Sequence, residues 1–146
     1  MDPHVEKLTT PEECDQFILN VAEEYPALAM EARRKAVALR ASQAGATTEA
    51  EREALEAVYA YEAVRTQPGG KKFRATRTWQ MIKRHGIIKA IERAVDRDDD
   101  PTGYSALLAM NMKDLSFEAV VVRRPTTFST AVVDRCKRRL SQHESA

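Results

Sequence analysis

The chain has 146 residues, of which 43% are hydrophobic and 31% charged, a length and composition that suit one domain with a buried core. No apolar run approaches the roughly 20 residues that span a bilayer, and the first residues lack the basic-then-apolar pattern of a signal peptide. We therefore expect a cytoplasmic protein with no membrane segment, in which Cys14 and Cys136 stay reduced.

The formal net charge of +1 conceals a strong segregation of charge along the chain. Residues 1–64 carry 6 basic and 13 acidic side chains, residues 65–97 carry 10 and 2, and residues 98–146 carry 7 of each. The three stretches thus have net charges of −7, +8 and 0. This segregation predicts either an anionic partner for the middle of the chain or pairing with the acidic first part.

The first part of the chain is predicted to be acidic and helical. Residues 1–9 are expected to form a flexible tail. Thr10–Glu13 then combines an N-cap hydroxyl, a proline at the first helical position and a glutamate that bonds back to the cap. Pro26 ends this helix and begins the next, and Thr48–Glu51 is a second capping box that opens a third helix. These elements make up residues 10–65.

Residues 66–97 form a basic central segment, which begins with a predicted loop at Gln67–Gly70. A helix is predicted from about Thr76 to Arg84, followed by a turn at Gly86 and a second helix. The only tryptophan, Trp79, falls on the apolar side of the first helix. We therefore expect this side chain to be part of the core rather than a platform for a ligand.

Two short helices joined by a glycine also meet the basic requirement of a DNA-binding helix-turn-helix. The helix that begins at Ile87 would then lie in the major groove. Its outward face, however, pairs Lys89 with Glu92 and Arg93 with Asp96, which dilutes the positive charge. An ordinary helical hairpin is the favoured interpretation, because such short connections are routine in helical domains.

Residues 100–141 are expected to hold the C-terminal helices, followed by a frayed tail at 142–146. Helix caps are predicted at three positions, namely Asp100, Asp114 and Ser129. The run Val120–Val122 has strand propensity, but no partner strand is evident, so we predict a helix there. The pattern as a whole predicts a single compact all-α domain of about seven short helices in helical hairpins, without significant sheet.

The strongest candidate for function is a group of six basic side chains, interleaved with Phe73 and Trp79. They are Lys71, Lys72, Arg74, Arg77, Lys83 and Arg84. Lysines and arginines that reach a shared surface neutralise phosphates, and aromatic rings stack on unpaired bases. We therefore predict a non-enzymatic accessory protein that binds DNA or RNA. The alternative is a helical interaction or assembly module whose basic segment pairs with an acidic protein surface, either that of another protein or that of a second copy.

Catalytic and metal-binding patterns are not evident. The sequence contains no nucleophile–base pair at a telling spacing, no phosphate-binding glycine loop and no zinc pattern. Asp98–Asp100 is better explained as a solvated loop than as a cation site. His85 is better explained as a structural residue of the turn than as a catalytic acid or base. No cofactor or metal is therefore expected, and an enzyme with a dispersed active site is the third alternative.

Overall fold

The chain folds into helices joined by short connections. A computed structural model describes residues 1–66, 70–96 and 101–145. Within these ranges there are nine α-helices and no strand. Their bounds are α1 Pro3–Glu6, α2 Pro11–Val21, α3 Pro26–Gln43, α4 Glu49–Arg65, α5 Thr76–His85, α6 Ile87–Asp96, α7 Pro101–Ala109, α8 Phe117–Arg123 and α9 Thr130–Ser145. A 3-10 helix at Lys113–Leu115 lies between α7 and α8. The all-α prediction is confirmed.

None of the helices in these ranges combines the length and the apolar character that crossing a membrane requires.

Helices α2 and α4 begin where the capping residues of the sequence predict. The Thr10 hydroxyl accepts a hydrogen bond from the Glu13 amide at 3.1 Å, and the Glu13 carboxylate accepts one from the Thr10 amide at 3.1 Å. At the start of α4 the Thr48 hydroxyl accepts from the Glu51 amide at 3.1 Å. The Glu51 carboxylate accepts from the amide of Thr47, one residue before the predicted cap. Both boxes thus satisfy amides that the first helical turn leaves unpaired.

The stretch 1–9, which we expected to be a tail, contains the short helix α1. Asp2 caps it by accepting a hydrogen bond from the His4 amide at 2.8 Å. Val5 is completely buried, and the Lys35 ammonium donates to its carbonyl oxygen at 2.9 Å. One buried valine and one lysine from α3 therefore hold the stretch on the domain. At the other end of the chain, α9 continues to Ser145, into the predicted frayed tail.

The main core lies between α4, α6, α8 and α9. It consists of apolar side chains that are at most 8% exposed. Its members include Val58, Ile91, Val95, Val121 and Val133. A second cluster joins α3, α4, α7 and the 3-10 helix, and a third joins α1, α2 and α3. Helix α4 packs against α3, α6, α7, α8 and the 3-10 helix, so it is the element around which the others are arranged.

The start of α8 differs from the prediction in one residue. Asp114 was expected to cap this helix, but it lies in the 3-10 helix and binds Arg34. Ser116 is the cap instead, since its buried hydroxyl accepts a hydrogen bond from the Ala119 amide at 3.0 Å. The prediction was wrong because the 3-10 helix extends past Asp114 to Leu115, which makes Ser116 the residue directly before α8. The run Val120–Val122 is helical, as predicted.

Other predicted features have mixed outcomes. The Ser129 hydroxyl accepts from the Val132 amide at 3.4 Å and caps α9, as predicted. Cys14 and Cys136 are free thiols and both are fully buried, so each packs as a small hydrophobic side chain. Three predicted features lie outside the described residues. They are the loop at Asp98–Asp100, the helix cap at Asp100, and residues 67–69 of the loop predicted at Gln67–Gly70.

Candidate nucleic-acid interface

The six candidate cations lie on one continuous stretch, residues 71–84, which we call the basic arm. Its first five residues are non-helical and the rest belong to α5. No residue of α5 is fully buried, and this helix packs mainly against α6. The basic arm therefore lies on the surface of the domain. Lys83 and Arg84 fall in the last turn of α5, where positive charge interacts favourably with the helix dipole.

Helix α4 holds the start of the basic arm through one carboxylate. The Oε2 atom of Glu62 accepts hydrogen bonds from the Ala75 amide and from Nε1 of Trp79, each at 2.8 Å. Ala75 is the N-cap residue of α5 and has no side chain that could cap it. Glu62 therefore fixes both the first turn of α5 and its only tryptophan. Hydrogen bonds to a charged acceptor are about twice as strong as neutral ones.

A second attachment holds the non-helical part of the basic arm. The Thr66 hydroxyl donates to the Glu62 carbonyl oxygen at 2.8 Å and accepts from the Phe73 amide at 2.9 Å. The Phe73 ring meets the Tyr61 ring edge-on, with 5.5 Å between centroids, and the Arg65 guanidinium lies 5.0 Å from the centre of the Phe73 ring. Phe73 is thus half-buried against the domain and serves as an anchor for the arm.

Trp79 is also used for attachment, as the sequence predicts. It packs against the main core, and its ring centroid lies 5.2 Å from that of Tyr59. The guanidinium of Arg74 lies 5.6 Å from the ring centre, which is within cation–π range. The indole therefore positions a cation of the arm rather than offering an open face to a base.

The side chains of all six cations are exposed. The Lys72 ammonium lies 3.8 Å from the Asp15 carboxylate and is 79% exposed, so this ion pair is loose. Among the described residues, the other five form no ion pair with the rest of the chain. The backbone of the arm is fixed while most of its charge is uncompensated.

The acidic residues of α4 are paired elsewhere. The described ion pairs of this helix are Glu53 with Arg123 of α8 and with Arg124, which follows α8, and Glu49 and Glu56 with Arg52 of the same helix. In the described structure, Glu62 is the carboxylate of α4 that contacts the arm, and it does so through an amide and an indole. No carboxylate of α4 in the described structure therefore forms an ion pair with a cation of the arm.

The helix–glycine–helix unit has the geometry of a packed hairpin. A single residue, Gly86, separates α5 from α6, whereas a DNA-binding helix-turn-helix has a turn of about 3–4 residues. Helix α6 packs against α4, α8 and α9, and buries Ala90, Ile91 and Val95. It therefore serves the core, which agrees with the hairpin favoured from the sequence.

A cavity of about 800 Å³ lies beside the start of the basic arm. Arg74 and Arg77 line it, whereas the other four candidate cations do not. Its remaining walls come from α4, α6, α7, α8 and α9. Sequence reasoning missed this cavity and the role of Glu62. Neither leaves a periodic signal, because the cavity is formed by six separate parts of the chain and Glu62 is one of many glutamates on α4.

Other reactive side chains show little sign of catalytic activation. Burial raises the pKa of the Cys136 thiol to about 12 and also raises that of Cys14, so both thiols stay protonated. The pKa of His85 is lowered by desolvation and by the cations Arg93, Arg84 and Lys89. The described residues contain no cluster of His, Cys, Asp or Glu that would hold a metal ion.

Comparisons with known proteins give no match, whether with family models, curated proteins or solved structures.

Proposed function

We propose that the protein binds nucleic acid through its phosphate backbone, with the basic arm as the contact surface. The observation that supports this function is the combination of a fixed backbone and uncompensated side chains. Glu62 and Thr66 hold the arm, while Lys72 makes the one described ion pair of its six cations. Because the arm is already ordered, binding costs less conformational entropy than it would for a disordered basic tail.

The spacing on α5 favours contacts to successive phosphates. Arg77 and Arg84 are seven residues apart, so they lie on the same face, about 10 Å apart along the helix axis. Lys83 flanks this face. Base-specific reading is not proposed, because α6, the helix that would lie in the major groove, is packed into the core. If only the phosphate backbone of the nucleic acid attracts the arm, binding should show little sequence preference.

A salt titration tests this function. Fluorescence anisotropy would be measured with labelled duplex DNA, single-stranded DNA and RNA over a range of salt concentrations. If all six cations neutralise phosphates of duplex DNA, the slope of log K against log salt should be about −5. No binding at low salt to any of the three probes would overturn the proposal.

A charge-reversed variant locates the surface. Changing Lys71, Lys72, Arg74 and Arg77 to glutamate should abolish binding at moderate salt. The matched control changes four exposed cations outside the arm to glutamate, and so gives the same net charge. These are Lys7, Lys113, Lys137 and Arg138. If both variants lose binding equally, the attraction belongs to the net charge of the protein and not to the arm.

The alternative, an acidic protein surface as partner, is decided by competition in the same assay. Polyglutamate of matched charge presents carboxylates without the spacing of a nucleic-acid backbone. We expect it to displace the labelled strand far less effectively than unlabelled nucleic acid does. Equal displacement by polyglutamate would favour an interaction or assembly module.

A further inference from the structure

The cavity beside the basic arm has the size of a small-molecule site and is open to solvent on one side. Its volume of about 800 Å³ lies within the range of roughly 300–1,000 Å³ that is usual for ligand pockets. The residues from Phe73 to Thr78 form one wall, and α8 and α9 contribute Phe117, Glu118 and Arg139. The cavity is therefore bounded by the arm and by the body of the domain.

The charge of the lining favours an anion. Arg74 and Arg77 are both exposed, and Arg74 is positioned over the Trp79 ring. Among the described lining residues Glu118 is the one carboxylate, and it lies 3.5 Å from the guanidinium of Arg139, which offsets its charge. The positive charge that this wall offers to a ligand therefore comes from Arg74 and Arg77, since the Ala75 amide at the start of α5 already donates to the Glu62 carboxylate.

The rest of the lining favours a planar apolar group. Four aromatic side chains face the cavity, namely Tyr61, Phe73, Tyr104 and Phe117. Aromatic side chains stack on nucleobases in a manner that tolerates any base, because every base has a π-face. An arginine pair next to such a lining matches a phosphate joined to a base. We propose that the cavity binds a nucleotide, with its phosphate at Arg74 and Arg77 and its base among the aromatic rings.

The nucleotide has two sources, a free mononucleotide or an unpaired residue of a nucleic-acid strand. The second source rests on the proposed function, whereas the first does not. Binding of a strand residue would give single strands an advantage over duplexes, since the base must be unpaired to enter. An experiment in two parts, one with free ligands and one with strands, decides which of the two sources the cavity binds.

Isothermal titration with AMP, adenosine and inorganic phosphate tests the site directly. AMP should bind at least about tenfold more tightly than either fragment, because it alone engages both the arginines and the rings. Thr78→Phe fills the cavity and should weaken AMP binding by about tenfold or more. The matched control, Gln80→Phe, places the same ring on α5 at an exposed position outside the lining. It should leave AMP binding unchanged.

The second part of the experiment compares the binding of a thymidylate strand of about 12 nucleotides with that of an abasic chain of equal length. The thymidylate strand should bind about tenfold more tightly, and Thr78→Phe should remove this difference while preserving binding to the abasic chain. Equal binding of both strands combined with AMP binding assigns the cavity to the free nucleotide. No binding of either strand defeats the proposed function, and AMP then decides the cavity alone.

Arg77→Gln keeps the test decisive if Thr78→Phe does not fold. Its side chain is exposed, so the substitution removes charge without disturbing the core. AMP binding should weaken severalfold, while adenosine binding stays the same. The inference is overturned if AMP binds no better than adenosine and phosphate and the two strands bind equally.

Discussion

Gly86 is the residue on which the α5–α6 hairpin depends. Its φ of +89° and ψ of 166° lie in a region that is essentially restricted to glycine. A Cβ added there would meet no neighbouring atom within 4 Å, so the constraint is in the backbone and not in the space around it. This single conformation allows two helices to be joined by one residue.

Gly86→Ala should therefore destabilise the protein by about 1–3 kcal/mol, through backbone strain alone. Urea denaturation followed by circular dichroism measures the change. Gln80→Ala, at an exposed position on the same helix, is the control and should stay within about 0.5 kcal/mol of the original protein. Equal stability of the Gly86→Ala protein would show that the hairpin adopts a different turn.

Single residues also show what a sequence does and does not reveal. The turn at Gly86 and the caps at Thr10, Thr48 and Ser129 were predictable, because each depends on the chemistry of residues within one helical turn. Asn111 was not predicted, although it ends α7 in the left-handed conformation with φ of 56°. Its own amide donates to the Leu108 carbonyl, and the next amide donates to the Leu107 carbonyl at 2.8 Å. This arrangement is a Schellman motif, which asparagine supports less often than glycine.

At the scale of elements, the basic arm is attached to α4 mainly through Glu62. Helical periodicity placed Trp79 on the inner side of α5, and the structure confirms that placement. Periodicity has no means of identifying a carboxylate that contacts residues 13 and 17 positions further along the chain. The helices were therefore predictable, whereas the attachment that makes the arm a rigid surface was not.

Glu62→Ala should release the start of the basic arm. Two hydrogen bonds to a charged acceptor are lost, and we expect a cost of about 2–4 kcal/mol. Because Trp79 is the only tryptophan, its fluorescence emission should shift to longer wavelength as the indole becomes hydrated. Nucleic-acid affinity should also fall, since the released arm must be ordered on binding.

The control for this prediction is Glu49→Ala on the same helix. The Glu49 carboxylate is 66% exposed and pairs with Arg52, so its loss should cost under about 1 kcal/mol. The Trp79 emission should not move. Unchanged emission in the Glu62→Ala protein would show that the arm is held by other contacts.

At the scale of the whole molecule, the segregation of charge has two separate consequences. Carboxylates of α4 and the 3-10 helix pair with arginines of α8 and α3, and these ion pairs connect distant parts of the chain. The cations of the basic arm take almost no part in these pairs. The sequence revealed the segregation, but pairing between elements depends on the fold, so it left open which cations would be neutralised.

Arg34 and Asp114 form the ion pair that connects α3 to the 3-10 helix. The guanidinium binds the carboxylate through two hydrogen bonds, of 2.6 and 3.1 Å, and also donates to the Asn111 carbonyl. The hydrogen bond from Arg34 is the main cause that lowers the pKa of Asp114 below its ordinary value of 3.8. Because the folded-state pKa is lowered, the pair stabilises the fold above pH 3.8, and this contribution is lost as the pH falls through the folded-state pKa.

Asp114→Asn should therefore destabilise the protein by about 1 kcal/mol near neutral pH, a modest value because both side chains are 40% or more exposed. The difference from the original protein should be constant down to about pH 5 and shrink toward about pH 2, as the original carboxylate becomes protonated. Urea denaturation across this range measures it, with Asp134→Asn on the exposed side of α9 as the control. A difference that persists unchanged at the lowest pH would mean that the carboxylate acts through its shape and not through its charge.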